Sequence, residues 1–228
     1  MDDNSSIPRV FLFEGLMETK SILDLFEKYV AINGRIFAEA GLKLVPIRYF
    51  GDGFTTIPLL DCVDESVRIL KYYQPTASDY YIGHSAGGLI VRYLVEILGY
   101  KLKRGLLIEC PNGGTNWLIE RASNLNSSNR FITSMRKGSE IMEALPVDRA
   151  CKYPYVEMRG LTSLSPIVRG VAALGYGFTK LPNVPQVELP QIGHIELVTD
   201  ERSVRTGISI LKAETNAFSL APILASES

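Results

Sequence analysis

The chain has 228 residues, 46% of them hydrophobic and 21% charged, enough apolar material for one cofactor-free core that buries roughly two-thirds of the unfolded surface. Its 24 Lys and Arg against 25 Asp and Glu give a formal net charge of -1, so no summed field draws it to nucleic acid or to an anionic membrane. The N-terminus, MDDNSSIPRV, is acidic where a secretory signal is basic and then apolar, and no run of roughly 18 apolar residues occurs; the expectation is a soluble, cytoplasmic single domain over 1–228 without stable membrane insertion.

Short β-rich runs alternate with longer stretches of helical period, the pattern of a mostly parallel sheet flanked by helices. The first strand is expected over Val10 to Phe13. Lys20 to Ala40 then carries Ile22, Leu25, Phe26, Tyr29, Ile36 and Phe37 close to a 3.6 repeat, predicting a helix that ends at Gly41. A second strand falls over Leu42 to Tyr49, a helix over Ile57 to Tyr73, a third strand over Asp79 to Ile82 and a helix over Gly87 to Leu98. Strands over Gly105 to Glu109, Tyr155 to Met158 and Gln186 to Leu189 follow, and Ser203 to Lys212 closes the pattern as a helix. Most of these strands are continuously apolar, as strands covered on both faces are. The one long excursion is Thr115 to Pro154, with amphipathic helices expected near Trp117 to Leu125 and Arg130 to Leu145.

Cys62, Cys110 and Cys151 are odd in number and widely spaced, without the paired spacing of a zinc site, and are read as ordinary buried thiols. The chain has two histidines, His84 and His194, and no metal site is expected.

After the third strand comes GHSAGG, Gly83 to Gly88, and then the apolar helix LIVRYLVEIL. A glycine-x-serine-x-glycine pattern is weak alone, but strand, sharp turn and helix in that order are the conditions for a nucleophile elbow. Ser85 would occupy a strained turn that lifts its hydroxyl above the sheet, with Gly83 and Gly87 removing side chains that would collide as the helix folds back. The amide of Ala86, at the helix start, would point at charge developing on an attacked carbonyl oxygen. A serine hydroxyl needs a neighbouring base. His84 is adjacent to Ser85 in an extended turn, where its side chain should point away, which leaves His194.

GHSAGG and the order of strands and motifs over residues 8 to 212 resemble the α/β-hydrolase superfamily, and within it lipase- and esterase-like members. The resemblance implies an α/β-hydrolase fold and the chain order serine, acid, histidine. It implies a carboxylic ester as substrate, small-molecule or lipid-like, cleaved through an acyl-enzyme at Ser85 with His194 as base, and it implies no cofactor. It also implies a second oxyanion donor just beyond the first strand, where FLFEGLMET retains Gly15 and so assigns the amide to Leu16. Glu14 stands there in place of the family's histidine, and a carboxylate beside a developing anion must be turned away, neutralised or paired. The helical excursion over 115–154 resembles a lid following a Pro-x-x-Gly segment, here PNGG.

The family's acid is missing from its usual place. RGLTSLSP puts Ser163 where an aspartate is expected. Some lipases take the acid from the preceding strand end, where LLIECPNGG offers Glu109, so Glu109 as acid, Ser163 or Thr162 as a neutral orienting group, and Glu14 all stand open. Glu14 and Ser163 together leave room for a different class of protein: a hydrolase fold without activity that serves as a binding module. An acyltransferase using the same acyl-enzyme differs only in its acceptor.

Overall fold

A computed structural model describes residues 7–15, 20–49, 57–114, 130–160 and 180–214. Six strands form one sheet: β1 (Arg9–Phe13), β2 (Lys43–Ile47), β3 (Tyr80–His84), β4 (Arg104–Ile108), β5 (Tyr155–Gly160) and β6 (Gln186–Leu189). Every pairing is parallel and the order across the sheet is β2-β1-β3-β4-β5-β6. All five residues of β3 and of β4 are buried, which explains their unbroken apolar character. β2 lies at an edge, where Pro46, paired in register with Leu12, removes no hydrogen bond that the sheet needs.

The period-2 alternation of side chains sorts the core into two layers. Phe11, Phe13, Tyr81, Leu107 and Tyr155 face one way and pack with α2 (Leu59–Tyr73) and α3 (Gly87–Arg92). Val10, Leu12, Ile82, Leu106, Ile108 and Met158 face the other and pack with Ile36 and Phe37 of α1 (Lys20–Glu39). They also meet the last helix, α7 (Glu201–Lys212), which buries Val204, Ile208 and Leu211 at helical spacing; its N-cap Asp200 accepts a bond from Ser203 N at 3.0 Å. At the N-terminal end of the sheet, Arg9 Nη2 lies 2.7 Å from Asp79 Oδ2 and ties β1 to the start of β3.

Two helical segments depart from the sequence expectation. The helix over Gly87 to Leu98 is α-helical only to Arg92 and then widens into a π-turn over Tyr93–Ile97. It ends with Tyr100 N donating to Leu94 O at 3.0 Å across Gly99, whose φ of 76° closes the helix in the left-handed region. The helix expected over Arg130 to Leu145 is two short ones, α4 (Arg130–Thr133) and α5 (Glu140–Ala144). The break comes at Gly138, whose φ is 87°, with Ser139 extended as the next N-cap. One further turn of helix, α6 (Glu196–Thr199), leads into α7. The helix expected near Trp117 to Leu125 lies outside the described residues. Among the described residues, no helix is long and apolar enough to cross a membrane.

Candidate active site

The chain runs from β1 outward to β2 and then returns to the far side of β1 to form β3. The strand order therefore reverses between β1 and β3, and in open parallel sheets ligands bind beyond the carboxyl ends of the strands at such a point. Gly15 follows β1 and Ser85 follows β3. A Cβ placed on Gly15 would lie 2.5 Å from Ser85 Cβ and 3.0 Å from its Oγ, so only glycine lets the two strand ends meet.

Ser85 has φ 53°, left-handed, with its amide donating to Ile108 O at 2.8 Å. A non-glycine residue in this region costs on the order of 1–3 kcal/mol, which the surrounding packing must impose. The packing is visible: a Cβ on Gly87 would lie 2.1 Å from Phe13 O, and one on Gly83 would lie 2.5 Å from Gly88 Cα. The first turn of α3 thus presses directly onto β1 and β3. The Ala86 amide, at the N-cap of α3, donates to no acceptor among the described residues.

One strand over, Glu109 is also left-handed, with φ 43°. That turn directs its carboxylate across β5 toward the loop after β6. Oε1 accepts from Gly160 N at 2.9 Å, and Oε2 meets His194 Nδ1 in a short hydrogen bond. Gly160 has to be small, because a Cβ there would lie 2.2 Å from Ile192 O in the loop that carries His194. Burial alone would raise the Glu109 pKa; the His194 ring and the Gly160 amide outweigh it and hold it below the usual carboxylate value. Burial lowers the His194 pKa, the neighbouring His84 ring lowers it further, and Glu109 opposes both. His194 is therefore neutral at neutral pH, with Nδ1–H given to Glu109 and Nε2 bare. Among the described residues neither Nε2 nor the Ser85 hydroxyl makes a hydrogen bond, so Ser85 and His194 are not joined as Glu109 and His194 are.

His84 belongs to this cluster too, through Glu14 and His194. Its ring lies 4.5 Å from that of His194, centroid to centroid, and its Nε2 donates to the His194 carbonyl at 3.0 Å. Its Nδ1 lies 2.9 Å from Glu14 Oε2, with both side chains buried. Of the dispositions open to Glu14, the structure has it paired. The Glu14 main chain is fixed as well, its carbonyl accepting a hydrogen bond from Tyr49.

No protein-family model and no curated protein matches the sequence. Solved structures do. A metagenome-derived lipolytic enzyme of the LipS and LipT description superposes with a TM-score of 0.60 at 11% identity, over 90% of this chain and 94% of that one. An extracellular α/β-hydrolase from Paenibacillus gives 0.59 at 11% identity, over 91% and 100%. This chain has the α/β-hydrolase fold. A thioesterase domain from the curacin biosynthetic pathway shares it, at a TM-score of 0.55 and 15% identity over 91% and 92%.

Within that α/β-hydrolase fold, Ser85, Glu109 and His194 occupy the carboxyl ends of β3, β4 and β6. Leu16, Thr162 and Ser163 lie outside the described residues. Within the insert's described part, α5 and the turns on either side of it border a hollow of about 520 Å³ lined by Asn112, Lys137, Met142, Glu143, Leu145 and Pro146, among others. Cys62 and Cys110 are buried and Cys151 is half-buried, all three as free thiols. Sequence reasoning missed the pairing of Glu14 with His84 and the contact of His84 with His194. The only sequence signals of the pairing were an acid at the end of β1 and a histidine inside GHSAGG.

Proposed function

We propose that the chain is a serine hydrolase of carboxylic esters or thioesters, with Ser85 as nucleophile, His194 as base and Glu109 as the acid. The observation that carries this reading is the Glu109–His194 pair, because it fixes the imidazole tautomer that general-base catalysis at a serine requires. Ser85 Oγ bonds to the substrate carbonyl carbon as its proton passes to His194 Nε2. The oxyanion is met by the free Ala86 amide and, by resemblance, that of Leu16. Collapse of the tetrahedral intermediate breaks the bond to the leaving alkoxide or thiolate, which takes the proton from His194. Water then repeats the sequence on the acyl-enzyme and restores Ser85.

The carboxylate that the family takes from the loop after β5 is here taken from the end of β4, and the left-handed turn at Glu109 is what brings it within reach of His194. The part of the insert over 130–154 serves as a cover whose Met142 and Leu145, with Pro146 and Val147, border a hollow next to PNGG that also carries Asn112, Lys137 and Glu143; its apolar side suits an acyl chain. Hydrolysis of p-nitrophenyl esters of increasing chain length tests the reading. Wild type is expected to release nitrophenol with a burst and Ser85→Ala is not, and Met142→Ala should shift the chain-length preference while leaving acetate least affected. Equal rates for wild type and Ser85→Ala would end the proposal.

A further inference from the structure

Among the described residues two carboxylate–imidazole pairs lie at the strand ends, and the proposed reaction uses one of them, Glu109 with His194. The other, Glu14 with His84, sits behind it and touches no reacting atom. Nδ1 of His84 faces a carboxylate oxygen of Glu14 at 2.9 Å, and Nε2 faces the main-chain carbonyl of His194 at 3.0 Å. A carbonyl oxygen only accepts, so Nε2 carries a hydrogen. Nδ1 faces a group that accepts when ionised, so with Glu14 as carboxylate both ring nitrogens are protonated and His84 is a cation. The buried pair is then neutral as a whole, which is the condition under which two charges persist inside a protein.

We propose that His84, held as an imidazolium by Glu14, is the positioning residue for His194: it anchors the base through its main-chain carbonyl and keeps the base's own ring uncharged. This rests on the reading of Ser85 and His194 as nucleophile and base. The contacts chain together three of the elements that carry the site. Glu14 ends β1, where its carbonyl is held by Tyr49 and pressed by the first turn of α3; His84 ends β3 next to Ser85; His194 lies on the loop after β6. The charge on His84 lies nearer to the His194 ring than that of Glu14 does, because Glu14 sits on the far side of His84. The pair therefore opposes protonation of His194 and leaves it ready to accept the Ser85 proton. It also accounts for an acid at this strand end: the Glu14 charge is spent on His84 and is not presented to a developing oxyanion.

The groups facing His84 are Glu14 from the end of β1, Glu109 from the end of β4 and His194 from the loop after β6. Burial lowers the His84 pKa, and Glu14, by its hydrogen bond and its charge, together with the His194 carbonyl and the Glu109 charge, raises it by more, for a net upward direction. A raised value means the anchor is intact at low pH and is lost as pH climbs through the folded-state pKa. The single remaining proton then cannot serve both acceptors.

The chain's two histidines make the test simple. Histidine-selective nitrogen-isotope labelling gives two imidazole spectra, and His194→Gln removes one and assigns the other. In wild type at neutral pH, His84 is expected with both nitrogens protonated and His194 with one. In Glu14→Gln, His84 should lose a proton at that pH and the His194 titration should move upward. The acidic limb of kcat/KM for p-nitrophenyl acetate should move with it, kcat falling more than KM changes, and Glu14→Asp should restore part of the loss. A bare nitrogen on His84 in wild type at neutral pH, or an unmoved His194 titration in Glu14→Gln, would overturn the proposal. The wild-type spectrum alone decides the first half if the variant does not fold. Failure of every form to hydrolyse esters would sink the ester reading instead, because the imidazole titrations are read without turnover.

Discussion

The pairs Glu109–His194 and Glu14–His84 are built from the same two side chains, a few ångströms apart, yet they are suited to different work. The side chains of the first are 11% and 21% exposed, and those of the second 8% and 5%. More telling is what each imidazole has left to offer. His84 has both nitrogens engaged by fixed acceptors, whereas His194 has one engaged and one open. An imidazole with an open nitrogen at the strand ends can exchange a proton with a substrate; one closed on both sides can only hold its neighbours and their charge in place. The difference arises from the backbone, since the left-handed turn at Glu109 sends its carboxylate sideways over β5 while Glu14 meets a ring on the adjacent strand.

Three changes would break or sharpen this contrast. The largest effect is expected from Glu109→Gln, which keeps the shape and removes the charge that fixes the His194 tautomer. Turnover should fall by about 10⁴-fold with circular dichroism and Tm little changed, and a variant of full activity would show that His194 takes its orientation from elsewhere. Next comes Gly160→Ala. Its Cβ would stand 2.2 Å from Ile192 O, so the loop bearing His194 must move while His84 and Glu14 keep their places. A misplacement of this size costs about 100-fold in kcat, read by steady-state kinetics. The smallest is Tyr49→Phe, which removes the hydrogen bond to the Glu14 carbonyl. It should cost about 1 kcal/mol in urea unfolding and act on the inner pair, reaching the outer one only through His84.

The pH dependence separates the pairs by sign. The pKa of Glu109 is depressed, so its contribution to stability is present at neutral pH and is lost as pH falls through the folded-state value. That of His84 is raised, so its contribution is lost in the other direction, as pH rises. Activity should keep its acidic limb below the ordinary imidazole range, because burial and the His84 charge lower the His194 pKa.

Much of the fold was legible in the sequence because continuous apolar runs fix strands that are covered on both faces. The bounds of β6 are those read from QVEL, and the other five strands differ by at most two residues at either end. What was not legible depended on backbone conformation within helical periodicity: the break at Gly138 and the π-turn after Arg92 leave the apolar repeat nearly intact. At the site, GHSAGG and the scarcity of histidine named Ser85 and His194 as candidates, and the strand-end position named Glu109 as one of several acids. The structure brings Glu109 and His194 together. Glu14 and His84 could not be joined on the page, because they are 70 residues apart and become neighbours only once β3 takes its place beside β1.

The most direct test of the central claim, that Ser85 is a nucleophile activated by the Glu109–His194 pair, is labelling with a serine-directed fluorophosphonate followed by mass mapping of the modified peptide. The account predicts a single adduct on Ser85, formed rapidly in wild type, slowed by orders of magnitude in Glu109→Gln and absent from Ser85→Ala. Folded wild-type protein that remains unlabelled after long exposure, or an adduct at another serine, would contradict it.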